Sequence, residues 1–152
     1  MVKNIALVAH DSRKQELMSW IRFNAGSLKD CNLFCTGTTG RLATMVMKEE
    51  VGEKNMPKIT SLLSGPLGGD FEMGAMIAEG KVDMLVFFCD NLIMQGHQND
   101  VMGLVRLASL YNIPFATNRS TADYIISSPL FSSKDYNRII PSCIESYKNR
   151  KL

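Results

Sequence analysis

The chain has 152 residues, of which 45% are hydrophobic and 21% charged, and its formal net charge is +2. That is globular composition, neither disordered nor fibrous, and the length predicts one domain with a sizeable core over residues 1–152. A nearly balanced charge without a basic, aromatic-interleaved cluster does not indicate nucleic acid. No apolar stretch approaches the roughly 18 residues of a spanning helix, and no signal-peptide pattern opens the sequence, so the expectation is a cytoplasmic protein with no membrane or nucleic-acid partner.

The first predicted element is a strand over residues 4–9, nearly all apolar, as a parallel strand covered on both faces must be. His10, Asp11 and Ser12 stop it. From Arg13, residues Leu17, Met18 and Ile21 give an apolar helical face that Gly26 ends, with Lys14 in its first turn. A second strand at residues 32–35 runs into Thr36, Gly37, Thr38, Thr39 and Gly40, after which Leu42, Met45 and Val46 restore helical spacing. Residues 48–58 are polar and contain Gly52 and Pro57, which reads as a surface excursion leading to a third strand at residues 59–63.

Next comes Ser64-Gly65-Pro66-Leu67-Gly68-Gly69-Asp70, a strand-to-helix turn rich in glycine. The helix it opens carries Met73, Ala75, Met76 and Ile77 and stops at Gly80. A continuous apolar strand over residues 83–89, a polar loop over residues 90–99 and a helix with Val101, Leu104, Val105 and Leu107 follow. Asn112 precedes a fifth strand at residues 113–117. Ser120-Thr121-Ala122-Asp123 reads as the cap of a last short helix closed by Pro129, and Lys148, Arg150 and Lys151 as a solvated end. Cys31, Cys35, Cys89 and Cys143 have neither CxxC nor zinc spacing. They read as reduced thiols, Cys31 and Cys35 in the second strand and Cys89 closing the fourth.

Five strands alternating with helices predict an α/β fold: an open, mostly parallel five-stranded sheet with helices on both faces. Ligands of such sheets bind beyond the carboxyl ends of the strands. That rule gathers His10, Thr36 to Gly40, Ser64 to Asp70, the 90–100 segment and Asn118 on one rim.

The glycines of the 64–70 turn let backbone N–H groups approach an anion, and the helix start adds unpaired donors. Asp70 is then either a plain N-cap or a base facing the ligand's reacting carbon. Thr36 to Gly40 offer hydroxyls and glycines suited to phosphate oxygens, but neither turn has the Gly-Lys-Ser/Thr of a P-loop, so nucleotide hydrolysis is not supported. Lys14 is either a point charge for phosphate or a solvated helix lysine. His10 and His97 are the two histidines, and Asp100, three residues from His97, either orients that imidazole or caps its helix. No HExxH spacing or GxSxG elbow is present, so neither a metal nor a serine hydrolase is indicated.

Taken in order, Ala9-His10-Asp11 with Lys14, the 36–40 and 64–70 turns, Phe87-Phe88 with Asp90, His97 with Asp100, Arg106-Leu107-Ala108 and residues 113–118 closely resemble the methylglyoxal synthase family over about residues 4–131. Two departures are visible. His97-Gln98-Asn99-Asp100 stands where the family usually has His-Asp-Pro-Asp, and Asp90-Asn91-Leu92 where it has Asp-Pro-Leu. The 48–58 stretch also looks longer than usual.

The resemblance implies a flavodoxin-like three-layer fold and a cofactor-free lyase. That enzyme converts dihydroxyacetone phosphate to methylglyoxal and phosphate through an enediolate. Asp70 matches the catalytic carboxylate, His97 a neutral histidine bonding the substrate's oxygens, and Asp100 a residue that orients the site and assists proton handling. His10, Lys14, Thr36, Gly37, Thr38, Thr39, Ser64 and Gly65 match substrate and phosphate contacts. Phosphate is implied as product and candidate inhibitor, and the assembly as a homohexamer. The alternative is a regulatory domain of the same fold that binds phosphate or nucleotide without chemistry. Retention of Asp70, His97 and Asp100, which simple binding does not require, favours the enzyme. A phospho-acceptor signalling domain fits poorly, since Asn118, not lysine, follows the fifth strand.

Overall fold

The computed structural model describes residues 2–93 and 96–150. Met94 and Gln95 of the predicted 90–99 loop, and Lys151 of the basic end, lie outside the described residues. Among the described residues five strands form one all-parallel sheet: β1 (Asn4–Ala9), β2 (Asn32–Thr36), β3 (Lys58–Leu62), β4 (Met84–Phe88) and β5 (Phe115–Ala116). Their order is β3-β2-β1-β4-β5. The chain builds outward from β1 to β3, then returns to the other side of β1, so the direction of growth reverses between β1 and β4.

Period-two alternation along the central strands produces two cores. Ile5, Leu7 and Ala9 of β1 and Met84, Val86 and Phe88 of β4 face one side, where α1 (Lys14–Phe23), α2 (Ala25–Leu28), α3 (Thr39–Val51) and α6 (Arg119–Ser127) cover them. Ala6, Val8, Leu85 and Phe87 face α4 (Gly69–Ala78) and α5 (Gln98–Leu110). The predicted helical stripes do the covering: Leu17 and Ile21, with Trp20 between them, are fully buried. Each such side chain contributes about 1.5–3 kcal/mol of transfer free energy. Helices on both faces of a parallel sheet make the expected three-layer α/β arrangement.

Several boundaries differ from the sequence expectation. The start of the 48–58 excursion is the last turn of α3, which runs to Val51, and a 3-10 turn at Glu53–Asn55 follows. Gly26 does not end the first helix; α1 stops at Phe23, where the Asn24 side chain donates to Trp20 O, and Gly26 lies inside α2. Cys31 precedes β2 rather than joining it, its thiol donating to Ser27 O. The fifth strand shrinks to two residues because Pro114 has no N–H to give, although its carbonyl accepts from Leu85 N. The cap of α6 is Asn118, whose side chain accepts from Thr121 N, and not the Ser120 segment. Pro129 starts α7 (Pro129–Ser132) instead of only closing α6, and α8 (Ser142–Lys148) follows. The four cysteines are free, three of them buried. Burial pushes the Cys35 thiol up to about 12 and those of Cys31 and Cys89 up to about 11, so these thiols are unreactive core groups. No helix among the described residues is long and apolar enough to cross a membrane.

Candidate active site

Where strand order reverses, the carboxyl ends of β1 and β4 leave a crevice, the usual ligand position in an open α/β sheet. A cavity of about 330 Å³ opens there. Its wall takes His10 from the end of β1, Thr36, Gly37 and Thr38 from the end of β2, Ser64, Gly65, Pro66 and Asp70 from beyond β3, and Phe87 and His97 from β4 and the loop after it.

The 64–70 turn is built on one carbonyl. Ser64 O accepts from Leu67 N at 3.0 Å and Gly69 N at 2.9 Å, which coils the chain into a 3-10 turn and then into α4. At Gly69 a Cβ would stand 1.9 Å from Leu63 O, a distance no side chain tolerates, so glycine is required for this close approach. The N-cap of α4 is Gly68, not Asp70; the aspartate lies inside the first helical turn and makes no cap. Its carboxylate is turned under Gly65, with only 2% of the residue exposed.

Asp70 Oδ2 lies 2.7 Å from Nδ1 of His97. Sequence offered Asp100 as a residue orienting this imidazole; its carboxylate comes within 4.8 Å of the ring, while the hydrogen bond itself is made by the carboxylate 27 residues away. Asp70 Oδ1 is buried and has no hydrogen-bond partner among the described residues. One carboxylate oxygen is therefore fixed by the imidazole, and the other is an uncommitted acceptor shielded from solvent.

His10 packs edge-on to both Phe87 and His97, with ring centroids 5.2 and 5.7 Å away. Its Nδ1 accepts from the Asp90 backbone N–H at 2.8 Å, so the proton of the neutral ring sits on Nε2, which is buried and unpartnered among the described residues. Burial lowers the His10 pKa below its ordinary 6.5, and the nearby His97 lowers it further, against opposing pulls from Asp70, Asp90 and Asp11. His10 is thus a neutral N–H donor. Asp90 serves as a fastening: its carboxylate accepts from Ser12 Oγ at 2.6 Å and Leu92 N at 2.9 Å, bonds that hold its pKa below the ordinary carboxylate value.

On the opposite wall Lys14 Nζ donates to Asp11 Oδ1 at 2.5 Å and Thr38 Oγ1 at 2.6 Å. The hydrogen bond from Lys14 depresses the Asp11 pKa. Thr38 is the N-cap of α3, so the lysine charge is anchored beside a helix start whose first N–H groups have no intrahelical partner. A cation, a hydroxyl and a helix N-terminus together make an anion site.

Asp100 occupies the first turn of α5, whose N-cap is His97, so Asp100 is not the N-cap. Asp70, His97 and Asp100 each bring one potential metal-ligating atom within 4.8 Å of the others. They are the group among the described residues that could hold a metal ion. A metal on Nδ1 would have to replace its contact with Asp70.

A family model described as "MGS-like domain" matches residues 16–117. A methylglyoxal synthase of Maridesulfovibrio salexigens is 47% identical over 156 residues, covering 99% of this chain and 98% of the relative. The chain belongs to the methylglyoxal synthase family. Another methylglyoxal synthase, from Proteus mirabilis, is 50% identical over 137 residues, covering 90% and 85% of the two chains. The solved structure of a methylglyoxal synthase from Elizabethkingia anophelis superposes with a TM-score of 0.83 at 40% identity, covering 99% of this chain and 93% of that one.

In this family member, His10, Lys14, Thr36, Gly37, Thr38, Ser64, Gly65, Asp70 and His97 all line the one cavity. Thr39 and Asp100 do not. Thr39 is fully buried directly behind the wall, its Oγ1 without a partner among the described residues. Sequence reasoning missed Pro66 and Phe87 as wall residues and Asp11 as the partner of Lys14. A signal for Phe87 existed: consecutive aromatics on a central strand point to opposite faces, so Phe87 and Phe88 cannot share one environment. Phe88 instead meets Trp20 in the other core.

Proposed function

We propose that this chain is a carbon–oxygen lyase that converts dihydroxyacetone phosphate to methylglyoxal and inorganic phosphate, with Asp70 as the base. The observation that carries the reading is the Asp70 carboxylate, buried under Gly65, held at one oxygen by His97 and uncommitted at the other. A carboxylate in plain water is a weak base, so one used to remove a carbon-bound proton must be oriented and kept dry.

The phosphate of the substrate sits on Lys14, Thr38 and the start of α3, leaving the three-carbon body between the Gly65 turn and the histidines. Asp70 Oδ1 takes a proton from the hydroxymethyl carbon alpha to the carbonyl. The electron pair forms an enediolate, and the collapse of that enediolate breaks the C–O bond to phosphate, which leaves with the pair. The remaining enol tautomerises to methylglyoxal. Neither an oxidant nor a reductant enters this balance. His10 Nε2–H donates to the developing oxyanion, where a preorganised donor is most effective. His97, donating Nδ1–H to Asp70, presents Nε2 to the substrate hydroxyl. Asp100, beside both, assists proton handling. Phosphate competes for the Lys14 cradle as product, and the one-domain extent over residues 1–152 and a homohexameric assembly belong to the same proposal on the strength of the family resemblance.

Asp70→Asn tests the base. It keeps the shape and removes the proton acceptor, so turnover should fall by at least about 10²-fold, the usual share of a positioned base. Exchange of the substrate's alpha proton with solvent should fall with it, while phosphate affinity and the unfolding midpoint stay near those of the parent. Turnover close to normal would remove Asp70 from this role.

A further inference from the structure

At the opposite end of the sheet lies a larger cleft, of about 500 Å³, that the lyase chemistry does not use. It opens where β1 and β4 begin, between Lys3, Asp83 and Met84 on one side and α6, α7 and the 133–138 segment on the other. Six residues of β1 at about 3.3 Å each separate it from the active-site rim by about 20 Å. Two classes of side chain line it. Tyr124, Phe131 and Tyr136 give aromatic walls, continued by Met84, Pro114 and Ile125. Lys3, Lys134 and Arg138 bring three cations against the single carboxylate of Asp83.

That carboxylate is already engaged, its Oδ2 accepting from the Asn4 backbone N–H at 2.8 Å. Among the described residues none of the three cations has a carboxylate partner within ion-pair distance, a state shared with several exposed lysines and arginines, and it is the partial burial of Arg138 that sets this cleft apart. Arg138 donates one guanidinium N–H to Val82 O at 3.0 Å, which fixes its head at the cleft, and its Nε is buried without a partner among the described residues. Half-burying a guanidinium without a counter-charge disfavours the free state unless an anion supplies the missing partner. An apolar cleft with a few convergent polar groups is the common form of a small-molecule site.

We propose that this cleft binds an organic anion carrying a ring-bearing apolar body, the ring between the aromatic walls and the anionic group on Arg138, Lys134 and Lys3. A guanidinium fork and two ammonium groups suit a carboxylate head, and aromatic walls favour a flat ring through offset or edge-to-face contacts. The site is independent of the phosphate cradle and does not rest on the lyase reading.

The test uses 2-naphthoate and its neutral near-isostere 2-naphthamide, titrated calorimetrically into the full chain. The expected result is one naphthoate per chain, bound at least tenfold more tightly than the amide. Lys134→Gln and Arg138→Gln should each weaken naphthoate at least threefold and leave the amide unchanged. Lys134 is exposed and its change leaves the fold alone, so that variant decides the matter even if Arg138→Gln lowers the unfolding midpoint. Saturating inorganic phosphate and Asp70→Asn should leave naphthoate affinity as it is. Absence of binding, equal affinity for acid and amide, indifference to Lys134→Gln, or displacement by phosphate would each overturn the proposal.

Discussion

Replacing Gly65 by alanine reads the geometry of the Asp70–His97 pair proposed as catalytic without substituting either member. The new Cβ would lie 2.8 Å from Cε1 of His97 and 3.0 and 3.2 Å from the two carboxylate oxygens of Asp70. Carbon atoms pack at about 3.5 Å or more, so the imidazole must retreat by about 0.7 Å. Neither group can do so freely: the Asp70 side chain is 1% and that of His97 12% exposed, and each holds the other at 2.7 Å. A misplacement near 1 Å at a reacting centre costs about 10²-fold, so turnover should drop by between about tenfold and 10²-fold. Gly65 is not among the glycines with positive φ, so alanine meets no left-handed strain, and the position before Pro66 adds only a modest backbone cost. Steady-state rates of phosphate release from dihydroxyacetone phosphate, measured beside the unfolding midpoint, separate the two effects. A kcat within about twofold of the parent would show that Gly65 does not set the spacing of Asp70 and His97.

Lys14→Ala should raise KM by roughly 10- to 100-fold, the value of one charge-assisted hydrogen bond of about 1.5–3 kcal/mol, and lower kcat far less, because the phosphate is held alike in ground and transition states; a large fall in kcat at constant KM would contradict this. Chelators should leave activity intact, and loss that zinc or magnesium restores would instead give Asp70, His97 and Asp100 to a metal. For His10 the unfolded chain takes up a proton near 6.5 that the folded chain resists, so His10 contributes a loss of stability as pH falls below that value towards its lower folded pKa. His10→Gln should therefore flatten the dependence of the unfolding midpoint on pH below about 6.5, and an unchanged slope would refute the burial argument.

The layers of the fold were legible because each rests on local periodicity. Strand β1 and the apolar run of β4 announce burial on both faces, and Leu17 with Ile21 announces a stripe that covers one of them. Where sequence and structure part, a tertiary contact or a missing donor decides. Pro114 shortens β5 because a proline cannot complete the ladder, and Asn118 takes the cap of α6 because its side chain, at the end of a short strand, reaches Thr121 N. The two short helices after Ser128 carried too little periodicity to separate them from loop.

The site divides along the same line. Its location follows from topology alone, since strand ends at a reversal of order converge whatever the loops do, and that is why residues as distant in sequence as His10, Thr36, Ser64 and His97 fall on one cavity. Its pairing does not follow from topology. Asp100 stands three residues from His97 and does come near it, each offering an atom within 4.8 Å of the other and of Asp70, yet the hydrogen bond to the imidazole is made by Asp70. The imidazole is met from α4, where Gly68 takes the cap and Gly69 lets the backbone pass against Leu63 O, placing Asp70 two residues beyond the cap, inside the first turn. The glycines that looked suited to a bound anion thus also drive a carboxylate under the turn, and they keep Cβ atoms out of the space in which it meets His97.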